Sequence, residues 1–386
     1  MRRSADPAVL IVCLSRRFGG AEVRVLQTAG ALRGRCRHAV AVLEGSPLHR
    51  KLTEAGCPVL PFAYGRGDSR LFFALRRAIR SGNFSVVDAH NPQSQFWGLM
   101  AAASLRVPAM VSTVHSSYGQ TDRGVKKVLY EGVLRLNRLF RCRFIAVSEA
   151  VRDYLPGLGI PSRSITLVHN AVPVAGGPVL SGSPAVKESL GWRGDDYLVT
   201  AVGRLEPVKG HAFLIKALGS AVRERPRLRC LFVGEGRLRP ELEALARKMD
   251  LGRHARFMGF RDDVIDILRG SDAFCMPSLS EGLPYALLEA CSLGLPVLAS
   301  AVGGIARLIE DGRTGILVPP EDVEALSGGL CALIDDPGAA KAMGMAAFRM
   351  VQERFSPGWM LAQTLGVYGI LDEQDERGLE TYRGHL

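Results

Sequence analysis

The run Pro277-Ser278-Leu279-Ser280-Glu281-Gly282-Leu283-Pro284-Tyr285-Ala286-Leu287-Leu288-Glu289-Ala290 carries two carboxylates whose spacing assigns them different work. Pro284 suits the first turn of a helix, so Glu281 belongs to the loop before that helix and Glu289 to its second turn. Glu281, with the backbone N–H groups of Gly282 and Leu283, suits a sugar and its phosphate. Glu289 suits the hydroxyls of a ribose; an ordinary surface charge explains it poorly, because Leu287, Leu288, Ala290 and Cys291 around it are apolar. Upstream, Gly203-Arg204-Leu205-Glu206-Pro207-Val208-Lys209-Gly210 leaves an apolar run and enters a helical pattern. Arg204 and Lys209 on one such loop match a diphosphate, the first as a planar fork and the second as a point charge. Either cation alone would read as solvated surface.

Other motifs are weaker taken singly. Phe18-Gly19-Gly20-Ala21-Glu22 opens a helix, and its glycines would let backbone at Gly20 approach an anion; a plain strand-to-helix turn explains it as well. Gly303-Gly304 has the same two readings. His115 closes an apolar run at its carboxyl end and could donate to a sugar hydroxyl or touch the reacting centre. His90 occupies a similar edge but reads better as a hydrogen-bonded structural histidine, and His169 and Asn170 would shape a hinge. Gly259, Phe260 and Arg261, in the stretch to Asp263, are candidates for reading a nucleotide base. The acidic pairs Asp195-Asp196, Asp262-Asp263 and Asp335-Asp336 look like turn and helix-start residues, so no metal site is expected. The eight cysteines show neither C-x-x-C nor zinc spacing; reduced thiols in a cytoplasmic protein are expected.

Elements that would position these residues follow from the alternation of short apolar runs with helical patterns, the mark of βαβ units and a parallel sheet covered on both faces. The chain of 386 residues exceeds one ordinary core. Strands are expected at 9–14, 39–43, 59–62, 86–89, 109–113, 144–147 and 165–168, then at 198–203, 230–233, 255–258, 273–276, 296–300 and 315–318. The fold class is therefore α/β, with two doubly wound Rossmann-like domains facing a cleft lined by the carboxyl ends of their strands. The expected boundaries are 1–172 and 191–355, a Pro, Gly and Ser-rich connection over 173–190, a helix over 356–372 returning to the first domain, and a polar tail over 373–386.

Arg2 and Arg3 precede an apolar run as in a secretion signal, but a glycine loop follows where a cleavage site would stand, so a buried strand is expected. No run approaches the roughly 20 apolar residues of a membrane helix. Met1–Leu180 holds 25 Lys and Arg against 10 Asp and Glu, a net +15, so −4 of the whole-chain +11 remains for the rest. The basic half favours an anionic acceptor or a membrane surface approached from the cytoplasm.

In order and spacing, Gly203-Arg204, Lys209-Gly210, Val233-Gly234-Glu235-Gly236, the pair Glu281 and Glu289, and Gly303-Gly304 resemble the retaining GT-B glycosyltransferases of family 4, over Val9 to about Phe355. The resemblance implies transfer of a sugar from a nucleotide-diphosphate sugar, with UDP favoured, to a glycan or lipid-linked acceptor in cell-envelope or polysaccharide synthesis. It implies Arg204, Lys209 and Gly20 at the donor phosphates, Glu281 at the transferred sugar, Glu289 at the ribose and His115 near the sugar. It also implies front-face substitution without a metal or other cofactor. The chain has Asn170-Ala171 where the family usually has Asn-Gly, and Ser116 where an acidic residue often follows the histidine. A sugar-nucleotide epimerase of the same plan is an alternative, as is a non-catalytic nucleotide-sugar binding module; a nucleic-acid reading finds no motif.

Overall fold

The computed structural model describes residues 7–65, 67–116, 124–173, 177–179 and 182–371. The expected tail over 373–386 lies outside them. The chain divides into two compact units, Met1–Ala171 with Pro357–Leu386, and Val172–Ser356.

The first unit holds strands β1 (Ala8–Cys13), β2 (Arg37–Leu43), β3 (Val59–Phe62), β4 (Val86–His90), β5 (Ala109–Val114), β6 (Arg143–Ala146) and β7 (Ile165–Leu167). They form one sheet in the order β3-β2-β1-β4-β5-β6-β7, parallel throughout. Ala8 through Leu14 are fully buried, as a strand covered on both faces requires. Because side chains alternate, Leu10, Val12 and Leu14 join the helices Arg70–Ser81 and Pro92–Ser104 on one face. Val9, Ile11 and Cys13 join the helix Gly20–Leu32 on the other, together with Met360, Leu361, Leu365 and Tyr368 of the helix Pro357–Tyr368. Arg24, 1% exposed, ties that face: its Nη1 donates to Val168 O (3.0 Å), His169 O (3.0 Å) and Asn170 Oδ1 (3.2 Å). Asn170 and Ala171 keep ordinary negative φ.

The second unit holds β8 (Tyr197–Val202), β9 (Leu228–Val233), β10 (Ala255–Gly259), β11 (Ala273–Met276), β12 (Val297–Ser300) and β13 (Ile316–Val318). Their order is β10-β9-β8-β11-β12-β13. Composition reads 173–190 as an exposed connection, but the described part of it is built into this unit. Val179 N–H donates to Leu293 O (2.6 Å) and Gly182 N–H to Asp272 Oδ1 (3.0 Å). A short helix, Pro184–Ser189, follows, and the buried Lys187 pairs with Asp272 at 2.7 Å.

In each sheet the order reverses once, between β1 and β4 and between β8 and β11. Connections from the two adjoining strands leave toward opposite sides, which opens a crevice at the carboxyl edge. In the second unit the edge loops meet backbone to backbone. A Cβ on Gly234, whose φ is +139°, would stand 2.0 Å from Gly203 O, and one on Gly304 would stand 1.6 Å from Gly282 O. Gly304→Ala should therefore cost roughly 1–3 kcal/mol as an overpacked site. Gly328→Ala, in the open middle of the helix Val323–Asp335, should stabilise by about 0.5–1 kcal/mol; urea melts of both variants check the contrast.

Candidate active site

The loop after β8 runs through Gly203–Glu206 into a single 3-10 turn, Pro207–Lys209, and then the helix His211–Glu224. The loop after β11 runs from Pro277 to Pro284, which caps the helix Tyr285–Ser292. The strand-order reversal makes these two loops neighbours, and their side chains meet. Lys209 Nζ lies 2.5 Å from Glu281 Oε1, and Ser278 Oγ donates to the same oxygen at 2.7 Å. With Oε1 taken twice, Glu281 keeps Oε2 for a further donor. Both side chains are nearly buried, at 17% and 9% exposure, so the pair sits at reduced dielectric.

Arg204 stands exposed on the same loop as Lys209, and its side chain makes no ion pair or hydrogen bond among the described residues. Most arginines of the same unit differ: Arg193, Arg225, Arg227, Arg229, Arg237, Arg239, Arg261, Arg269 and Arg313 each meet a carboxylate. An uncommitted guanidinium next to a lysine suits a diphosphate. Gly282 and Leu283 are buried where the loop turns into the helix, pinned from outside by the Gly304 N–H, which donates to Glu281 O at 3.1 Å.

Glu289 lies one turn into the helix, half-buried between fully buried Leu288 and Ala290. Burial pushes its carboxyl up to about 7. No donor among the described residues serves it, which leaves it for hydroxyls of a ligand.

Gly259 ends β10 after a register shift and has φ +70°. Its carbonyl is stitched inward, accepting from Gly234 N–H at 2.8 Å. Phe260 is half exposed, offering a ring to a flat base. Arg261 is forked onto Asp263 at 2.8 and 2.6 Å, so a base contact from its side chain would have to break that pair. The other acidic pairs hold helix starts and arginines: Asp336 accepts from Ala339 N–H, Asp335 from Arg225 and Asp195 from Arg193. Among the described residues no group of three or more His, Cys, Asp and Glu side chains is placed to hold a metal ion.

In the first unit Gly20 is the exposed first residue of its helix, and Gly19 is extended with only ordinary contact for a Cβ. Geometry at Gly19 requires no glycine. Glu22 in the first turn is buried, and burial holds its carboxyl above the usual range.

His115, just past β5, is half-buried and lies 2.9 Å, Nε2 to Nδ1, from His90. His90 in turn lies 3.2 Å, Nε2 to Oδ2, from Asp88. Burial opposes the charge on Asp88, but His90, Tyr368 and Thr113 outweigh it and hold the carboxyl below its usual range. His90 is hydrogen-bonded as the sequence suggested, yet it also connects to the candidate site. Asp88 and Tyr368 were missed. A charged residue inside the apolar run Val86–His90 was the available signal; Tyr368, 280 positions away, gave none. His169 contacts Glu149 at 3.0 Å. His211 was missed as well: 4% exposed beside Lys209, it is pushed down to about 4 by burial and then by the Lys209 charge.

The described site can thus be set beside known proteins. Residues 18–175 match the family model for Glycosyltransferase Family 4, and residues 183–350 match that for Glycosyl transferases group 1. The chain is 30% identical over 332 residues to a phosphatidyl-myo-inositol mannosyltransferase of Mycolicibacterium smegmatis, covering 82% of each protein. It is 26% identical over 275 residues to the UDP-Gal:alpha-D-GlcNAc-diphosphoundecaprenol alpha-1,3-galactosyltransferase of Escherichia coli, covering 70% of this chain and 71% of that one. Its fold matches the crystal structure of Anabaena Alr3699/HepE in complex with UDP and glucose with a TM-score of 0.83 at 21% identity, over 95% of this chain and all of that one. With both family models matched in order, a relative of that identity and coverage, and two doubly wound sheets whose carboxyl-edge loops carry Arg204, Lys209, Glu281 and Glu289, the chain belongs to the GT-B glycosyltransferases of family 4.

Proposed function

We propose that this glycosyltransferase moves a hexose from a UDP-sugar to a lipid-linked or glycan acceptor of the cell envelope, with retention of configuration. The observation that carries the reading is the Lys209–Glu281 pair at the strand-order reversal of the second unit, with uncommitted Arg204 on the loop of Lys209 and Glu289, without a donor, on the helix that follows Glu281. Arg204 and Lys209 would stabilise the diphosphate as the sugar–phosphate bond breaks, Gly282 and Leu283 would offer backbone N–H groups, and Glu289 would take the ribose hydroxyls. Glu281 would hold a sugar hydroxyl through Oε2 and oppose the positive charge of an oxocarbenium-like state. In front-face substitution the acceptor oxygen forms its bond on the face the phosphate leaves, and a phosphate oxygen takes the acceptor's proton. Charge is met by side chains, so this reading uses no metal. UDP is supported by the ligands of the Anabaena structure and the donor in the E. coli relative's name; a lipid acceptor is supported by the names of both relatives.

The same reading places the protein at the cytoplasmic face of a membrane. No helix among the described residues is long and apolar enough to cross one. The helix Val125–Leu139, however, exposes Val125, Val128, Leu129 and Leu139 among Lys126, Lys127, Arg135 and Arg138. On the helix Arg70–Ser81, Phe73 is exposed near Arg76, Arg77 and Arg80. Apolar and basic side chains mixed on one surface suit anionic lipid headgroups.

UDP should raise the thermal midpoint of the wild type, in EDTA as in its absence, and should do nothing for a folded Arg204→Ala/Lys209→Ala variant at the same concentration. An equal response to GDP would reassign the base, and no response to any nucleotide would overturn the donor site. Because hydroxyl donors favour the ionised carboxylate, UDP affinity should rise about fivefold from pH 6 to 7, nearly twofold more by pH 8, and level off above. Glu289→Gln should remove that part of the profile, leaving only the nucleotide's own titration, which isothermal titration at several pH values would resolve. The raised carboxyl also has the sign of a nucleotide-free protein that loses stability as pH climbs through about 7. Co-sedimentation with phosphatidylglycerol vesicles should be salt-sensitive and weaken roughly 30-fold in Lys126→Ala/Lys127→Ala, at about 1 kcal/mol for each charge; binding indifferent to salt and to anionic lipid would remove the membrane reading.

A further inference from the structure

Asp88, His90 and His115 form one hydrogen-bonded chain in the first unit, and strand geometry puts them there. Asp88 and His90 are two apart on β4 and so share a face; His90 pairs across to Thr113 on β5, and His115 lies two beyond Thr113. Thr113 Oγ1 donates to Asp88 Oδ1 at 2.8 Å, and Tyr368 Oη donates to Asp88 Oδ2 at 2.7 Å, the atom that also faces His90 Nε2 at 3.2 Å. Asp88 and His90 are each 1% exposed.

An ionised carboxylate only accepts, so His90 Nε2 must carry a proton. A neutral imidazole has a single N–H, which leaves His90 Nδ1 with a lone pair. The contact of 2.9 Å between that atom and His115 Nε2 then needs the proton on His115 Nε2. Burial, above all, and the Arg24 charge keep His115 neutral by holding it well below the usual imidazole range. Nδ1 of His115 is thus a bare acceptor, with no partner among the described residues.

We propose that Asp88 is a positioning residue that acts through His90 to fix the tautomer of His115, so that His115 Nδ1 accepts a hydrogen bond from a substrate hydroxyl. The sequence suggested a donor at this position; the chain reverses that polarity. The proposal rests on the reading of His115 as a residue facing the sugars, while the tautomer itself can be read without any substrate.

The test is ring ¹⁵N NMR of the full chain labelled in histidine, with His90 and His115 assigned through His90→Gln and His115→Gln. Wild-type His115 should show a protonated Nε2 and a bare Nδ1. A proton on Nδ1, or on both nitrogens, overturns the proposal even if neither Asp88 variant folds. Asp88→Leu should give mixed tautomers at His115. Asp88→Asn should restore the wild-type pattern, because its amide nitrogen can turn to Thr113 while its oxygen serves His90 and Tyr368; identical patterns in Leu and Asn variants would overturn the role of Asp88. In transferase assays Asp88→Leu should lower kcat at least about tenfold with donor KM little changed, and Asp88→Asn should recover most of it. The expected tautomer in a protein that neither binds nucleotide nor transfers sugar would overturn the functional reading and leave the tautomer assignment standing.

Discussion

Backbone against backbone at the carboxyl edge of the second sheet is the constraint on which the rest of this unit depends. Four loops converge there, and they approach so closely that carbonyl oxygens occupy the space a side chain would need at Gly234 and Gly304. The N–H of Gly304 on the carbonyl of Glu281 and the N–H of Leu205 on the carbonyl of Glu235 stitch neighbouring loops. Lys209 and Glu281, which come from different loops, meet because these loops have nowhere else to go. A rigid rim fixes the backbone positions from which the two side chains reach one another, so that forming the pair costs side-chain entropy alone.

The first unit solves a related problem with side chains. Its candidate histidine is held through a buried carboxylate and a second imidazole, and the carboxylate is shared with a tyrosine on the helix Pro357–Tyr368. Arg24 performs the corresponding service for the strand ends, gathering the carbonyls of Val168 and His169 and the side chain of Asn170 into one fan of bonds. Polar groups of this depth need every bond satisfied to be tolerated, which explains why their partners come from both ends of the chain.

Strands were legible because parallel strands buried on both faces read as unbroken apolar runs; β3 and β11 begin and end where the sequence put them, and the others differ by a residue or two. Arg204, Lys209 and Glu281 could be placed at the sheet edge because their loops are short and local, and Glu289 on the helix that follows. Glycine patterns were ambiguous in a specific way: a glycine needed because a ligand approaches and one needed because another loop approaches look alike, and at Gly304 it is the carbonyl of Gly282 that arrives. The stretch 173–190 was misread because Pro and Gly also serve packed coil whose N–H groups find acceptors, as Val179 and Gly182 do. Arg261 could not be seen to be committed to Asp263, and Tyr368 could not be linked to Asp88 across 280 positions.

The helix Pro357–Tyr368 gives the molecule a history as well as a shape. It supplies Met360, Leu361, Leu365 and Tyr368 to the sheet face formed by Val9 and Ile11, yet it leaves the ribosome after the whole of Val172–Ser356. During synthesis the second unit can therefore close on its own while the first waits, one apolar face of its sheet covered only in part, by the helix Gly20–Leu32. A chain that stalls or is clipped before Pro357 would strand that face in water and leave Asp88 short of a donor. This late segment is thus a checkpoint on synthesis: only a chain made past Tyr368 has both a dry core and an ordered histidine in its first unit.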